Sequence, residues 1–450
     1  MARNSGPLSW ARRWFAPSWM NTDIARVLIA HALMSATQAM AAILVPIDLA
    51  KLGFHGVFIG LLFTATATAS AVLTAVIGFL SDRFGRRSFL VLMPVVTAVA
   101  CFIFALSEWG AFLFVSAALG ALGRGTGAGA GTVGPYQPAE QAYLTARIPS
   151  THRNSLFGRL GFATSLGALI GGGPFIYLTV GLTPHTQQFT VAFFVAGACA
   201  LAAGLLAMGI AKDRQLPLEK SQVPLEKSQA SPVNKDSSPA LPRGQVRRLL
   251  LQLALTNSLN GFAVGFFGPF ITYWFYRRFG VSAVEIGLLY MLINVVSLFS
   301  NVFTARVALR WGVVRSIVVT RIAQGLMIIP MVLAPFFWLA GVLYALRMMV
   351  QRLGLPLRQS YVMGIVPDAQ RGKVSSLSNL PSQVTSAISP SLAGPMIENV
   401  SLSLPFELGA VIQTLGAILF GVFFGSTRPP EENPVPPKEQ APRADDLSES

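Results

Sequence analysis

Few side chains in this sequence could do chemistry, because most of it is long apolar runs. His31 stands in the first run with Ser35, Thr37 and Gln38. An imidazole titrates near pH ~6.5 when unperturbed, so it could relay a proton. A lone histidine with no acid close in sequence suits packing or hydrogen bonding equally well. At an offset of 227 its counterpart is Ser258, between Asn257 and Asn260, which suggests polar groups on either side of a central wet cavity. Arg124 and Arg347 also fall in apolar runs. Cations there are costly unless they face a cavity or a partner, so function is the default reading and an ion pair or helix-carbonyl contact the alternative. Asp48, Glu285 and Glu407 map near the outer ends of runs, which leaves Glu140, next to Gln141, as the best-placed inner acid. If Arg124 and Arg347 share one cavity, its surplus positive charge would attract a carboxylate, sulfonate or phosphate.

Other chemistries find no support in the sequence. It has no Gly-rich phosphate loop for an ATP-driven pump, no paired-histidine metal motif and no nucleophile elbow. No enzyme activity, cofactor or metal is expected.

The elements that must position these residues are membrane helices. Of the 450 residues 53% are hydrophobic and only 12% charged, against about 25% charged in ordinary soluble domains. Hydropathy gives twelve spans, near 24–46, 56–80, 89–106, 111–145, 155–180, 188–211, 248–275, 284–305, 314–333, 336–362, 374–397 and 402–425. The expected fold is an all-α polytopic membrane protein with twelve transmembrane helices in two pseudo-symmetric six-helix bundles. Residues 1–23 read as a basic, aromatic interfacial segment before an uncleaved first helix, with an organelle transit peptide as the alternative. The bundles occupy 24–211 and 248–425. Between them, 212–247 has the polar, Pro-rich composition of a flexible linker, and 426–450 that of a disordered tail. The net charge of +15 follows from topology rather than nucleic-acid binding. With both termini cytoplasmic, only Lys51, Arg277 and Arg278 fall in outside loops, as the positive-inside rule requires. Cys101 and Cys199 sit in apolar runs as small hydrophobes.

The chain is duplicated. Gly53, Gly60 and Gly85 recur as Gly280, Gly287 and Gly312, and Arg83-Phe84-Gly85 as Arg310-Trp311-Gly312. A second anchor aligns Pro138, Gln141 and Tyr143 with Pro356, Gln359 and Tyr361 at an offset of 218. Parallel repeats of this kind give a pseudo-two-fold axis along the membrane normal. The same register places Glu140 opposite Arg358, and this pair of opposite charges is expected to close a cytoplasmic gate. Gly123, Gly127 and Gly131 share one helix face, fit for close packing or for local unwinding.

With these motifs assembled, the sequence resembles the major facilitator superfamily. Gly78, Leu80, Ser81, Asp82, Arg83, Gly85, Arg86 and Arg87 match that family's signature between its second and third helices. Arg124-Gly125-Thr-Gly127 matches its fourth-helix arginine, and Gly167 to Pro174 is an interrupted form of a fifth-helix motif of exporters. The resemblance implies secondary active transport of a small solute by alternating access. Asp82 would then be a latch toward the start of the eleventh helix near Lys373. It further implies a monomer in a plasma membrane, bacterial by preference, with protons as coupling ion and no cofactor. Export of drug-like compounds is the first expectation, organic-anion uptake or exchange the second, and a transporter-like receptor the reading from another class.

Overall fold

In the computed structural model, residues 20–122, 134–147, 153–182, 187–211, 243–296, 313–364 and 371–425 are described. They are helical almost throughout. The first half comprises α1 (Thr22–Lys51), α2 (Gly56–Phe84), α3 (Arg86–Leu106), α4 (Gly110–Gly120), α5 (Gln137–Arg147), α6 (Arg153–Ile170) and α7 (Gln188–Met208). The second comprises α8 (Arg243–Phe267), α9 (Ile271–Phe279), α10 (Ala283–Val296), α11 (Val313–Leu326), α12 (Ile328–Leu333), α13 (Phe337–Gly364), α14 (Arg371–Asn399) and α15 (Leu404–Phe424). Seven stretches among the described residues are long and apolar enough to cross a bilayer unaided. The remaining spans are divided, short or partly outside the described residues. Helix α8 begins at Arg243, inside the segment read from sequence as linker.

Local sequence explains where helices stop. Lys51 lies in the last turn of α1, where a cation suits the helix dipole. Gly53 then turns the chain with φ +83°, and Gly280 ends α9 with φ +65°. A side chain there would be strained, so the repeat has kept glycine at both equivalent turns. Gly85, with φ +86°, makes the tight turn between α2 and α3. Helix α6 runs on through two π-helical turns, Gly171–Phe175 and Tyr177–Gly181. Pro174 has no N–H to give to the ladder, which favours the wider turn there.

Among the described residues the spans, some of them divided into two helices, alternate between two faces. The near face carries the α2–α3 turn and the start of α1, and the far face carries Lys51, Trp109, Gly280 and Asn399. Toward the far face, one continuous core joins both halves, with Leu44, Phe63 and Phe193 packed together with Trp274, Tyr290 and Phe406. Toward the near face, the described core belongs to the first half alone, with Ile24, Leu90, Tyr143, Leu160 and Ala203 among its members. The halves are therefore closed on each other at the far face. Apolar side chains such as Leu61, Leu92, Leu205, Leu292 and Val422 point outward, as bilayer contact requires.

Lipid offers helices little hydrophobic reason to associate, so close packing must hold the halves. A Cβ on Gly60 of α2 would stand 2.4 Å from the Pro390 carbonyl oxygen of α14, and one on Gly394 would stand 2.4 Å from the oxygen of Gly56. A Cβ on Gly287 of α10 would meet the Gly172 oxygen after α6, also at 2.4 Å. Gly60 and Gly287 are repeat equivalents. The two crossings are therefore the same contact made twice around the pseudo-two-fold axis. Thr272 adds a hydrogen bond to the Ala42 carbonyl across the halves at 3.1 Å and meets the Tyr290 hydroxyl at 2.6 Å. Cys101 is buried and Cys199 half-buried, and both are free thiols.

Candidate functional site

Helix α1 presents His31, Ser35 and Gln38 on one face, at the i, i+4, i+7 spacing of a helical stripe. All three are buried. The first half brings to His31 an acid from 109 positions away. His31 Nδ1 lies 2.8 and 2.9 Å from the two carboxylate oxygens of Glu140 on α5. The Tyr136 hydroxyl donates to Glu140 Oε1 at 2.9 Å. On its other side His31 Nε2 lies 2.6 Å from Thr164 Oγ1 on α6. Glu140 is 0% and His31 4% exposed, while Thr164 is half-buried.

The hydrogens of this network can be counted. Thr164 Oγ1 is also 2.8 Å from the Leu160 carbonyl oxygen. A hydroxyl has a single hydrogen to give. If it goes to Leu160, His31 Nε2 must donate to Thr164, and a second proton lies between Nδ1 and Glu140, as an imidazolium beside a carboxylate or as a neutral ring accepting from a protonated Glu140. If it goes to Nε2, the ring is neutral with its one N–H on Nδ1, donating to Glu140. The two arrangements differ by one proton and one hydroxyl rotation. A buried carboxylate needs a partner of this kind, since the cost of leaving it unpaired is severe.

Arg347 in the second half is held differently. It is 2% exposed, with its guanidinium 3.9 Å from the Phe267 ring centre and its Nη2 donating to Gln413 Oε1 at 3.3 Å. Gln413 in turn donates to Gln324 Oε1 at 2.9 Å. Arg347 thus packs inside the bundle against α8 and α15, with its Nε buried and without a hydrogen-bond partner. Arg124, its proposed companion, lies outside the described residues, together with the glycine stripe from Gly123 to Gly131. Asn257 is buried and Asn260 half-buried on α8, while Gln141 is half-buried beside Glu140. The Gln38 side-chain nitrogen is buried without a hydrogen-bond partner.

The loop signature has a structural role that its sequence did not disclose. Arg86 donates to the Ala142 carbonyl in the middle of α5 at 2.9 Å, and Arg87 to the Met208 carbonyl at the end of α7. Arg26 reaches the Gly209 carbonyl and Arg147 the Ala211 carbonyl, the latter at 3.4 Å. Basic side chains thus gather the carbonyls at the negative end of α7, a favourable placement for cations. These bonds stay within the first half. Arg83 is exposed and near the Phe84 ring. Gly78 falls within α2, while the side chains of Asp82 and Arg358 lie outside the described residues. Glu140 is engaged by His31 and Tyr136, so in this conformation its carboxylate is not standing free for a partner on α13.

The sequence pattern that defines the Major Facilitator Superfamily matches residues 27–350 and, in a second match, 253–447. The chain belongs to that superfamily. It is a secondary transporter of a family that does not comprise enzymes. Among similar proteins is the multidrug resistance protein MdtG of Citrobacter koseri, 22% identical over 435 residues, 94% of this chain and 96% of that one. The fold is that of the nucleoside transporter NupG, with a TM-score of 0.67 at 12% identity over 90% of this chain and 100% of the other. A D-xylose–proton symporter matches with a TM-score of 0.65 at 15% identity, over 89% and 96% of the respective chains. The seal described above closes the far face of this fold.

Proposed function

We propose that this protein couples transport of a small organic solute to protons, and that the His31–Glu140 pair carries the coupling proton. The observation that carries this reading is the pair itself, a buried imidazole and carboxylate with Thr164 as a hydroxyl whose rotation follows one proton. A site that only riveted α1 to α5 would not need a second hydrogen-bonding end that reaches the half-buried Thr164. The basic loops make the near face cytoplasmic, with both termini inside. The conformation described is then inward-facing, closed outside by the glycine crossings.

Solute and proton exchange across a midplane site as the halves rock. Asp82 in the α2–α3 turn becomes a latch to the N-terminus of α14, where its charge meets the positive end of a helix dipole, when the near face closes. Likeness to a multidrug resistance protein favours export of organic compounds, and the likeness to a proton symporter favours protons as the coupling ion. Operation as a monomer in the bacterial cytoplasmic membrane completes the reading.

Proteoliposomes loaded with a panel of organic compounds test it. Wild type should accumulate a transported compound against its gradient only when a pH gradient is imposed. His31→Gln and Glu140→Gln should lose that accumulation while retaining counterflow exchange of the same compound. Accumulation undiminished in both variants would end the proposal.

A further inference from the structure

Helices α1 and α6 line a half-open cavity of about 500 Å³ toward the near face, within the size of small-molecule sites, about 300–1,000 Å³. Its walls are almost wholly apolar. Leu28 and Ala32 come from α1, and Phe162, Ala163, Leu166 and Ile170 from α6. The spacing along each helix keeps these residues on one face. One charged side chain lines it: Arg159, two turns into α6 and only 7% exposed. No aspartate or glutamate is among the described lining residues.

We propose that this cavity binds the solute and that the solute is an amphiphilic organic anion, its apolar body between α1 and α6 and its acidic head on Arg159. This rests on the transport reading above and names its substrate class. Apolar walls offer a sugar or a nucleoside no hydrogen-bond partners, so such solutes would lose their hydration without recompense. A cationic amphiphile would fill the space equally well but would bring like charge against Arg159. A guanidinium pairs with carboxylate, sulfonate or phosphate through parallel hydrogen bonds. The position also suits coupling. Ala32 follows His31, and Ala163 precedes Thr164, so the helices that clasp the solute are those bridged by the 2.6 Å His31–Thr164 contact. An anionic lipid entering from the bilayer shares this chemistry with a dissolved solute, and the test separates the two sources.

The full-length protein is placed in phosphatidylcholine nanodiscs and equilibrium binding of tritiated decanesulfonate is measured. Unlabelled decanesulfonate should displace the probe at a concentration at least tenfold below that needed for decyltrimethylammonium or decanol. Arg159→Gln should weaken binding about tenfold and erase the preference, and Arg159→Lys should keep most of it. Leu166→Trp, at a position partly open to the cavity, should block binding with an unchanged melting temperature. Competition by phosphatidylglycerol in the nanodisc identifies a lipid as the source, and its lack of effect identifies a dissolved solute. Either outcome fits an anionic amphiphile. Equal displacement by all three compounds, a preference that survives Arg159→Gln, full binding by Leu166→Trp, or no binding by wild type would overturn the assignment. The expected binding without pH-driven accumulation would defeat only the proton-coupling reading. Accumulation of neutral or cationic compounds, unaltered by Arg159→Gln, would defeat only this one.

Discussion

His31, Glu140, Tyr136 and Thr164 draw on three helices, so each side chain holds the fold as well as a proton. Removing one partner of a buried pair leaves the other uncompensated and costs about 3–5 kcal/mol. Glu140→Ala is expected to lower stability by roughly that amount, read from detergent-solubilised protein by thermal or denaturant melting. Replacing both partners by apolar residues of similar size, His31→Phe with Glu140→Leu, should recover most of the loss while leaving transport uncoupled. Tyr136→Phe removes one hydrogen bond to a charged acceptor and should cost about 1.5–3 kcal/mol. Arg347 calls for a different test. Because it lies on the Phe267 ring and bonds to Gln413, Arg347→Lys should not restore the stability lost in Arg347→Ala, since an ammonium cannot lie flat on the ring. Equal stability of the lysine variant and wild type would contradict that role.

What the sequence disclosed at this scale was residue type, not partnership. Glu140 was legible as the best-placed inner acid and His31 as a histidine able to titrate. Their meeting was not, because the acid is 109 positions away and the repeat pointed it instead to Arg358. One signal could have joined them: of the four histidines, His31 alone stands deep within an apolar run, and a deep histidine needs an acid or a hydroxyl. Arg347 was legible as a cation in an apolar run, but its packing was not. Its ring partner Phe267 and its hydrogen-bond partner Gln413 are both far from it in sequence.

Among the elements, the glycine crossings are the most informative. A side chain at Gly60 or Gly287 would run into a backbone carbonyl of the other half. Backbone cannot yield as a flexible side chain can, so the helices must part. Gly60→Leu and Gly287→Leu should each open the far face, with similar effect because the two crossings are repeat-related. A single cysteine at Ser401, on the far face, should react faster with a membrane-impermeant maleimide in either variant, in a background with Cys101 and Cys199 replaced by alanine. Unchanged labelling in both would mean that the crossings do not hold the seal. The spacing of Gly53, Gly60, Gly280 and Gly287 makes the duplication legible in the sequence itself, because tight turns and close crossings tolerate nothing else. The glycines from Gly167 to Gly173 were harder to read. Gly167 and Gly171 meet α1 at Ala32 and Ala36, whereas Gly173 meets Met291 of the other half. Each answers to a different neighbour, which no single periodicity could show.

For the whole molecule, the far face also carries His55, 3.2 Å from Glu398 across the halves, with Glu398 accepting the Val57 backbone N–H at 3.2 Å. An exposed pair of this kind is worth little, about 0–1 kcal/mol, so it can trim the seal but not drive transport. Twelve spans and two halves were legible from hydropathy and repetition, whereas the state of closure was not, because alternating access gives one sequence two packings separated by a few kcal/mol. The central claim is that protonation of the His31–Glu140 pair biases which packing is populated. Double electron–electron resonance distances test it most directly. One spin-label pair spans the far face at Glu108 and Ser401, and another the near face at Asn21 and Arg248. His55→Gln, in a cysteine-free background, removes the His55–Glu398 contact that joins the halves at the far face. Between pH 5 and pH 8 the two distance distributions should shift in opposite senses, and Glu140→Gln should hold both in one state across that range. A pH-driven shift of the same size in Glu140→Gln would contradict the claim.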